Sequence, residues 1–208
     1  MRGGCTKYFV QLLEEGLTDY ILDGQTFDLE GVRSMRENPH HLNTSPFNSY
    51  NFHGKGNFAS IVDAAILGAT EIDVHFNANV VSHSDGYLLH GIGGWQNCLY
   101  SKCTILAVPS FRNRIPVIID EVTTLCGPGE LIDVVITERG IAINPMRKDL
   151  IKAMKNSSLP IKQIRQIRDE VYDICGIPAK PKLDRKRVVA IVKWVDGTVI
   201  DSVFQVKP

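Results

Sequence analysis

The chain has 208 residues, 44% of them apolar and 22% charged, with Lys+Arg and Asp+Glu both at 23 and a formal net charge of zero. This is the composition of a globular protein long enough to bury a sizeable core. It excludes the basic bias of a nucleic-acid or anionic-membrane binder, and no apolar run approaches the roughly 20 residues of a membrane helix.

The amino terminus lacks the basic-then-apolar pattern of a secretory leader. The five cysteines, Cys5, Cys98, Cys103, Cys126 and Cys175, form no close CxxC pair, so they read as small buried residues of a cytoplasmic protein, with no metal expected. In chain order, residues 6–15 pattern as a short helix that Gly16 can stop in a left-handed conformation. Asp28 is placed to cap a second helix carrying Leu29, Val32 and Met35, which Asn38-Pro39 ends. Residues 38–57, rich in Asn, His, Ser, Pro and Gly with Phe47, Tyr50 and Phe52 among them, read as a long irregular segment. His40-His41 within it is expected to face solvent.

Four nearly continuous Val/Ile-rich runs lie at 62–67, 104–108, 115–119 and 131–136, the pattern of strands covered on both faces in a largely parallel sheet. Residues 147–155 are expected as a helix. Ile161, Ile164, Ile167, Val171 and Ile174 line one face of another, closed by Gly176. Residues 180–187 read as a solvated linker. The last predicted feature is a hairpin pairing 188–195 with 198–206 about Asp196-Gly197, in a two-residue turn whose central residues both take positive φ. The prediction is an α/β chain forming one domain over 1–208, with the hairpin at 186–208.

Three polar, glycine-bearing stretches could carry chemistry. In the first, Glu71, Asp73, His75, Asn77 and Asn79 alternate, which places them on one face if the segment is extended. The two asparagines favour instead a shaped loop at a strand end. In the second, His90-Gly91-Ile92-Gly93-Gly94-Trp95-Gln96-Asn97, the glycines let backbone N–H groups approach an anion or a developing oxyanion. Its spacing fits neither a Walker loop nor GxGxxG. The third comprises residues 120–129 and 136–145, which include Thr123, Glu138 and Arg139 and follow strand-like runs, where open α/β sheets bind ligands. Neither a GxSxG elbow nor an HExxH site is present.

These stretches together resemble the citrate lyase alpha chain, a member of the CoA-transferase superfamily. The likeness runs through Ile21-Leu22-Asp23-Gly24-Gln25-Thr26-Phe27-Asp28, Glu71-Ile72-Asp73-Val74-His75-Phe76-Asn77-Ala78-Asn79-Val80, Val122-Thr123-Thr124, Thr137-Glu138-Arg139-Gly140-Ile141-Ala142-Ile143-Asn144-Pro145 and Asp196-Gly197-Thr198-Val199-Ile200-Asp201. It is a likeness to the carboxy-terminal half of that chain and implies a three-layer CoA-transferase-like domain. It implies citrate CoA-transferase chemistry, in which an acetyl thioester and citrate give a citryl thioester and acetate. The thiol would be CoA or a CoA-derived prosthetic arm on an acyl-carrier subunit. The implied partners are the amino-terminal half of the alpha chain and the beta and gamma subunits of an oligomeric lyase.

Carried over residue by residue, Gly93 and Gly94 would bind the thioester oxyanion, with Glu71 and Asn77 as further catalytic candidates. Asp73, Asn79, Gly91, Asn97, Thr123 and Arg139 would line the substrate and CoA site. Arg139, Arg112 and Arg114 are candidates to meet citrate carboxylates. Trp95-Gln96-Asn97 departs from the acidic residue common after the glycines. Gln11 falls where many superfamily members carry a nucleophilic Glu, with Glu14 and Glu15 as alternatives; the branch resembled is one of direct transfer in a ternary complex. Two other readings share the pattern, a CoA-transferase or thioester hydrolase for another short-chain acid and an inactive structural half-domain.

Overall fold

The computed structural model describes residues 2–45, 47–48 and 61–207. The chain divides into two compact units, Met1–Phe58 and Ala59–Pro208. The first unit is a parallel sheet of β1 (Arg2–Cys5), β2 (Ile21–Thr26) and β3 (His41–Asn43), with β2 central. Helices α1 (Lys7–Glu14) and α2 (Leu29–Glu37) form the two crossovers. Asp28 caps as expected, and it does so twice: its carboxylate accepts from Gly31 N of α2 at 2.9 Å and from Lys7 N at the start of α1 at 2.7 Å. These bonds hold the carboxyl below its ordinary value. Gly16, at φ 71, stops the first helix.

Two expectations for this unit need correction. The opening of the 38–57 segment is strand β3, paired in parallel with β2, while residues 46 and 49–57 lie outside those described. His41 is only 3% exposed and does not face solvent. It stands opposite Ile21 in the ladder, and its Nδ1 meets Ser34 Oγ of α2 at 3.0 Å.

The second unit is built on a four-stranded sheet ordered β12-β11-β7-β4. Its strands β4 (Ala64–Leu67), β7 (Cys103–Ala107) and β11 (Val134–Thr137) run parallel, and β12 (Gly140–Ile143) is an antiparallel edge. Beside it, β5 (Glu71–Asp73) folds back on β6 (Ala78–Asn79) and pairs in parallel with β10 (Ile118–Ile119). Residues 115–119 thus supply two short strands, β9 (Ile115–Pro116), which pairs with β8 (Phe111–Arg112), and β10. The third strand begins at Val134 because a 3₁₀ turn occupies Gly129–Leu131.

Coverage on both faces holds only in part. In β4 and β7 the burial alternates, and Ile66 is 72% exposed. The core, which includes Ile72, Leu106, Ile118, Ile132 and Val135, all fully buried, lies on one side.

Helix α3 (Trp95–Cys98) leads into β7, α4 (Lys148–Ala153) follows β12, and α5 (Ile164–Cys175) packs on β9, β10 and β12. The 3.6-residue spacing sets the buried face of α5 through Ile164, Ile167 and Val171. A Gln163–Gln166 capping box starts it and Gly176 at φ 82 ends it, with Arg114 donating to Ile174 O at 2.6 Å on its negative end.

The hairpin is present and longer than expected, β13 (Leu183–Lys193) pairing with β14 (Val199–Val206). Residues 183–187 are therefore strand and not linker. Its turn also differs. Trp194 N donates to Thr198 O and Gly197 N to Trp194 O, and only Gly197, at φ 93, is left-handed. That is a three-residue loop, a type I turn followed by a left-handed residue. No helix among the described residues is long and apolar enough to cross a membrane.

Ile167→Ala removes a fully buried side chain between α5 and the sheet. It should lower the unfolding free energy by about 2–5 kcal/mol, read from the denaturant midpoint, with the far-UV circular dichroism of the folded state unchanged.

Candidate functional site

The segment from Glu71 to Asn79 is a folded loop. Asp73 N donates to Asn77 O and Phe76 N to Asp73 O, with Phe76 left-handed at φ 67. The turn has the same plan as the one at Trp194–Thr198, with a buried phenylalanine where that turn has glycine. A bulky side chain at positive φ costs of order 1–3 kcal/mol, so the surroundings must hold it there. Asp73, 2% exposed, does much of this: Oδ1 accepts from His75 N at 2.8 Å and Asn77 N at 3.0 Å, and Oδ2 from Asn77 Nδ2 at 3.0 Å. Asn77 Oδ1 in turn accepts from Gly129 N at 2.9 Å. Gly129 has no alternative here, because a Cβ would sit 2.0 Å from His75 O.

One level deeper lies the Glu71 carboxylate, 2% exposed. It accepts from Asn79 Nδ2 at 2.8 Å, Thr123 N at 2.8 Å and Thr123 Oγ1 at 2.9 Å. Among the described residues no Lys, Arg or His pairs with it. Asn79 is saturated as well: its amide also reaches Ser82 Oγ and O, and its Oδ1 accepts from Val81 N and Ser82 N. Ser82 Oγ meets Thr124 Oγ1 at 3.0 Å. The alternating polar residues therefore point into hydrogen bonds that fix the loop, and of the five only His75 is exposed.

The glycine loop joins the same assembly. Gln96 Nε2 donates to Cys126 O at 2.9 Å, and Trp95 Nε1 to Gly68 O at 2.8 Å. The Trp95 ring occupies the space a Cβ on Gly127 would need. Gly94 caps α3 at φ −85, and Gly93 is left-handed at φ 61. Both Gly91 and Gly93 are exposed, with no atom near enough to touch an added Cβ. No acceptor among the described residues takes the Gly93 or Gly94 N–H. Asn97 is buried in α3 at 9% exposure. The hairpin buttresses the third stretch, for Leu125 N donates to Asp201 Oδ2 at 2.7 Å. A cavity of about 80 Å³ opens beside Glu71 and Thr123, bounded by Ser84, Asp120, Tyr172 and Lys180. A wider depression of about 610 Å³ lies below the Phe76 turn, with Lys162 and Arg165 among its lining.

The three arginines are all engaged by protein atoms. Arg139 Nε donates to Ser110 Oγ at 3.1 Å and the guanidinium lies 5.6 Å over the Phe111 ring. Glu138, accepting from Ser110 N and Oγ, completes that corner; burial works against its charge, yet the Ser110 bonds hold its carboxyl below the ordinary value. Arg112 is bonded to Ala69 O and Thr70 O, and Arg114 to the end of α5. Gln11 is on the exposed face of α1, bonded to Glu15. Ser82, Gln96 and Cys126 were not visible as site residues in the sequence, because nothing in their spacing marks a buried polar partner.

The second unit is a mostly parallel α/β fold in which one folded loop, one glycine loop and one Thr-Thr segment are knitted together. A family model described as citrate lyase, alpha subunit, matches residues 1–206. The chain belongs to the citrate lyase alpha subunit family. It is 39% identical over 206 residues to the citrate lyase alpha chain of Haemophilus influenzae, covering 99% of this chain and 41% of that protein. A protein described as the alpha subunit of citrate lyase from Streptococcus mutans, crystallised in complex with citrate, superposes with a TM-score of 0.94 at 37% identity, over 100% of this chain and 41% of that one. RipA from Yersinia pestis shares the fold at a TM-score of 0.54 and 15% identity, over 82% of this chain and 42% of RipA. The chain spans about two fifths of the length of the curated relatives it matches.

Two outcomes follow from this geometry. Gly129→Ala should unfold the loop or the protein, seen as a lost or broadened thermal transition, since no side-chain movement relieves a clash with a backbone carbonyl. Burial pushes the Cys126 thiol up to about 11, with the Asp201 and Glu71 charges adding and backbone N–H groups of Val80 and Val81 opposing. Alkylation of the folded protein at pH 8, read by peptide mass, should therefore leave Cys126 unmodified until denaturant is added.

Proposed function

We propose that this chain supplies the carboxy-terminal part of a citrate CoA-transferase site, in which acetyl thioester and citrate exchange to citryl thioester and acetate. The observation that carries the reading is the match of this whole chain, at a TM-score of 0.94, to 41% of the Streptococcus mutans protein crystallised with citrate. The glycine loop supports it. Gly93 and Gly94 present two backbone N–H groups with no internal acceptor among the described residues, next to a loop whose shape is fixed from within. Such donors stabilise a thioester oxygen as charge builds on it during acyl transfer.

In this proposal Glu71, Asn79, Asp73 and Thr123 position the site. Their carboxylate and amide groups are engaged by hydrogen bonds within the loops, so the citrate carboxylate itself attacks the acetyl carbonyl and expels the thiolate. The thiolate then attacks the citryl carbonyl of the resulting acetyl–citryl anhydride, giving the citryl thioester and releasing acetate. Asn77 joins the two loops. The acyl thiol would be CoA or a CoA-derived arm on a carrier subunit, and the amino-terminal part of the alpha chain would complete the pocket. The 80 Å³ cavity beside Glu71 is far below the roughly 300–1,000 Å³ of usual ligand pockets, which fits a site shared with another part of the protein.

Gly94→Ala, made in a complete alpha chain, tests the reading. At φ −85 alanine is tolerated, so the melting temperature should change little. Loss of one oxyanion donor should lower citrate-dependent release of acetate from acetyl-CoA by about a hundredfold. Near-normal turnover in the variant would reduce the loop to a turn, and an unmodified chain inactive with citrate but active with another acid would move the substrate elsewhere.

A further inference from the structure

Outside the loops just described, one cluster is left without a role. Cys5 at the end of β1, Asp23 in β2 and His41 in β3 converge in the first unit, and all three are buried. One ligand atom from each, the thiol, a carboxylate oxygen and a ring nitrogen, lies within 4.8 Å of the others. His41 Nε2 is buried with no hydrogen-bond partner, although it lies 3.4 Å from Asp23 Oδ2. The two are close but not aligned for a hydrogen bond, so proximity is present and satisfaction is not. A buried ring nitrogen left in that state costs about 1–3 kcal/mol, and native interiors seldom tolerate it.

We propose that Cys5 Sγ, Asp23 Oδ2 and His41 Nε2 bind a divalent transition-metal ion of the zinc type that ties the three parallel strands together. Sulfur, imidazole and carboxylate are the donors zinc takes. Two ligands on bonds of 2.0–2.1 Å in a tetrahedron stand roughly 3.3 Å apart, and the Asp23–His41 separation of 3.4 Å already meets that. Only the thiol must draw in.

The supporting shell is in place too. His41 Nδ1 is engaged by Ser34 Oγ at 3.0 Å, which orients the ring and leaves Nε2 as the donor atom. Asp23 is held through Gln25 N at 2.7 Å on Oδ1 and Thr26 Oγ1 at 2.5 Å on Oδ2. Thr44 N donates to Asp23 O at 2.8 Å and so ties the end of β3 to β2 beside the cluster.

Charge and size argue the same way. Binding releases the Cys5 thiol proton to solvent, and thiolate plus carboxylate then balance the divalent cation inside an otherwise uncompensated interior. The unit has a small apolar core, Cys5, Val10, Leu13 and Ile21 with Phe9 against it. Units of this size commonly need a staple, and a metal is one. Cysteine spacing could not reveal the site, because its ligands come from three separate strands.

The test is cobalt substitution in the whole chain. Chelator-treated, reduced protein is titrated with Co(II), alongside elemental analysis of the protein as purified. One equivalent should bind with a thiolate-to-cobalt charge-transfer band and the intense visible bands of tetrahedral cobalt, be displaced by Zn(II), and raise the melting temperature. Cys5→Ser should abolish the charge-transfer band, while Cys103→Ser keeps it. Ser34→Ala, mild enough to leave the fold intact, should weaken binding about 10–100-fold. Absence of a stoichiometric cobalt spectrum in the unmodified chain would overturn the proposal. Persistence of the charge-transfer band in Cys5→Ser would overturn it as well.

Discussion

The centre of the second unit depends on one buried carboxylate. Glu71 is 2% exposed with no cation beside it among the described residues, and taking an ion out of water costs several kcal/mol unless dipoles replace the solvent. Asn79 and Thr123 supply those dipoles. To do so they must come from the return strand of the loop and from the segment after β10, so satisfying one carboxylate brings together stretches 52 residues apart. Everything near the proposed site hangs on that meeting: Ser82 and Thr124 extend it, Cys126 and Gln96 tie in the glycine loop, and Asp201 anchors the outer side.

This division of labour explains why so many polar residues in the family motif end in hydrogen bonds to one another. A transfer reaction that relies on backbone N–H groups needs them held still, since preorganised donors avoid reorganisation as charge develops. Carboxylates buried and engaged on both oxygens, as Glu71 and Asp73 are, make poor nucleophiles but good struts. The strained Phe76 belongs to the same logic: Asp73 and Gly129 hold a left-handed phenylalanine where the backbone alone would not.

The first unit uses polar burial differently. Asp28 caps two helices from the surface, whereas Asp23 is drawn inward beside Cys5 and His41 on the covered side of a three-stranded sheet. With few apolar side chains to bury there, the polar cluster takes up much of the interior, and what neutralises it bears directly on how that sheet is held.

The sequence by itself determined the elements whose signals are local. Helix α5 follows from the spacing of Ile164, Ile167 and Val171, α2 from the Asp28 cap, and the parallel α/β class from the Val/Ile runs. Asp196-Gly197 marked the hairpin, although the loop has three residues because only Gly197 is left-handed. The resemblance carried the family. Only the tertiary structure decided which polar residues are spent internally. Period-two spacing places Glu71, Asp73, Asn77 and Asn79 on one face of a straight strand, yet the turn at Phe76 folds them onto each other, and no residue there announces a left-handed backbone. His41 looked like half of a loop pair until strand pairing with Ile21 carried it inside. Burial and partner choice depend on what arrives from elsewhere in the chain, and that information is not present at the position itself.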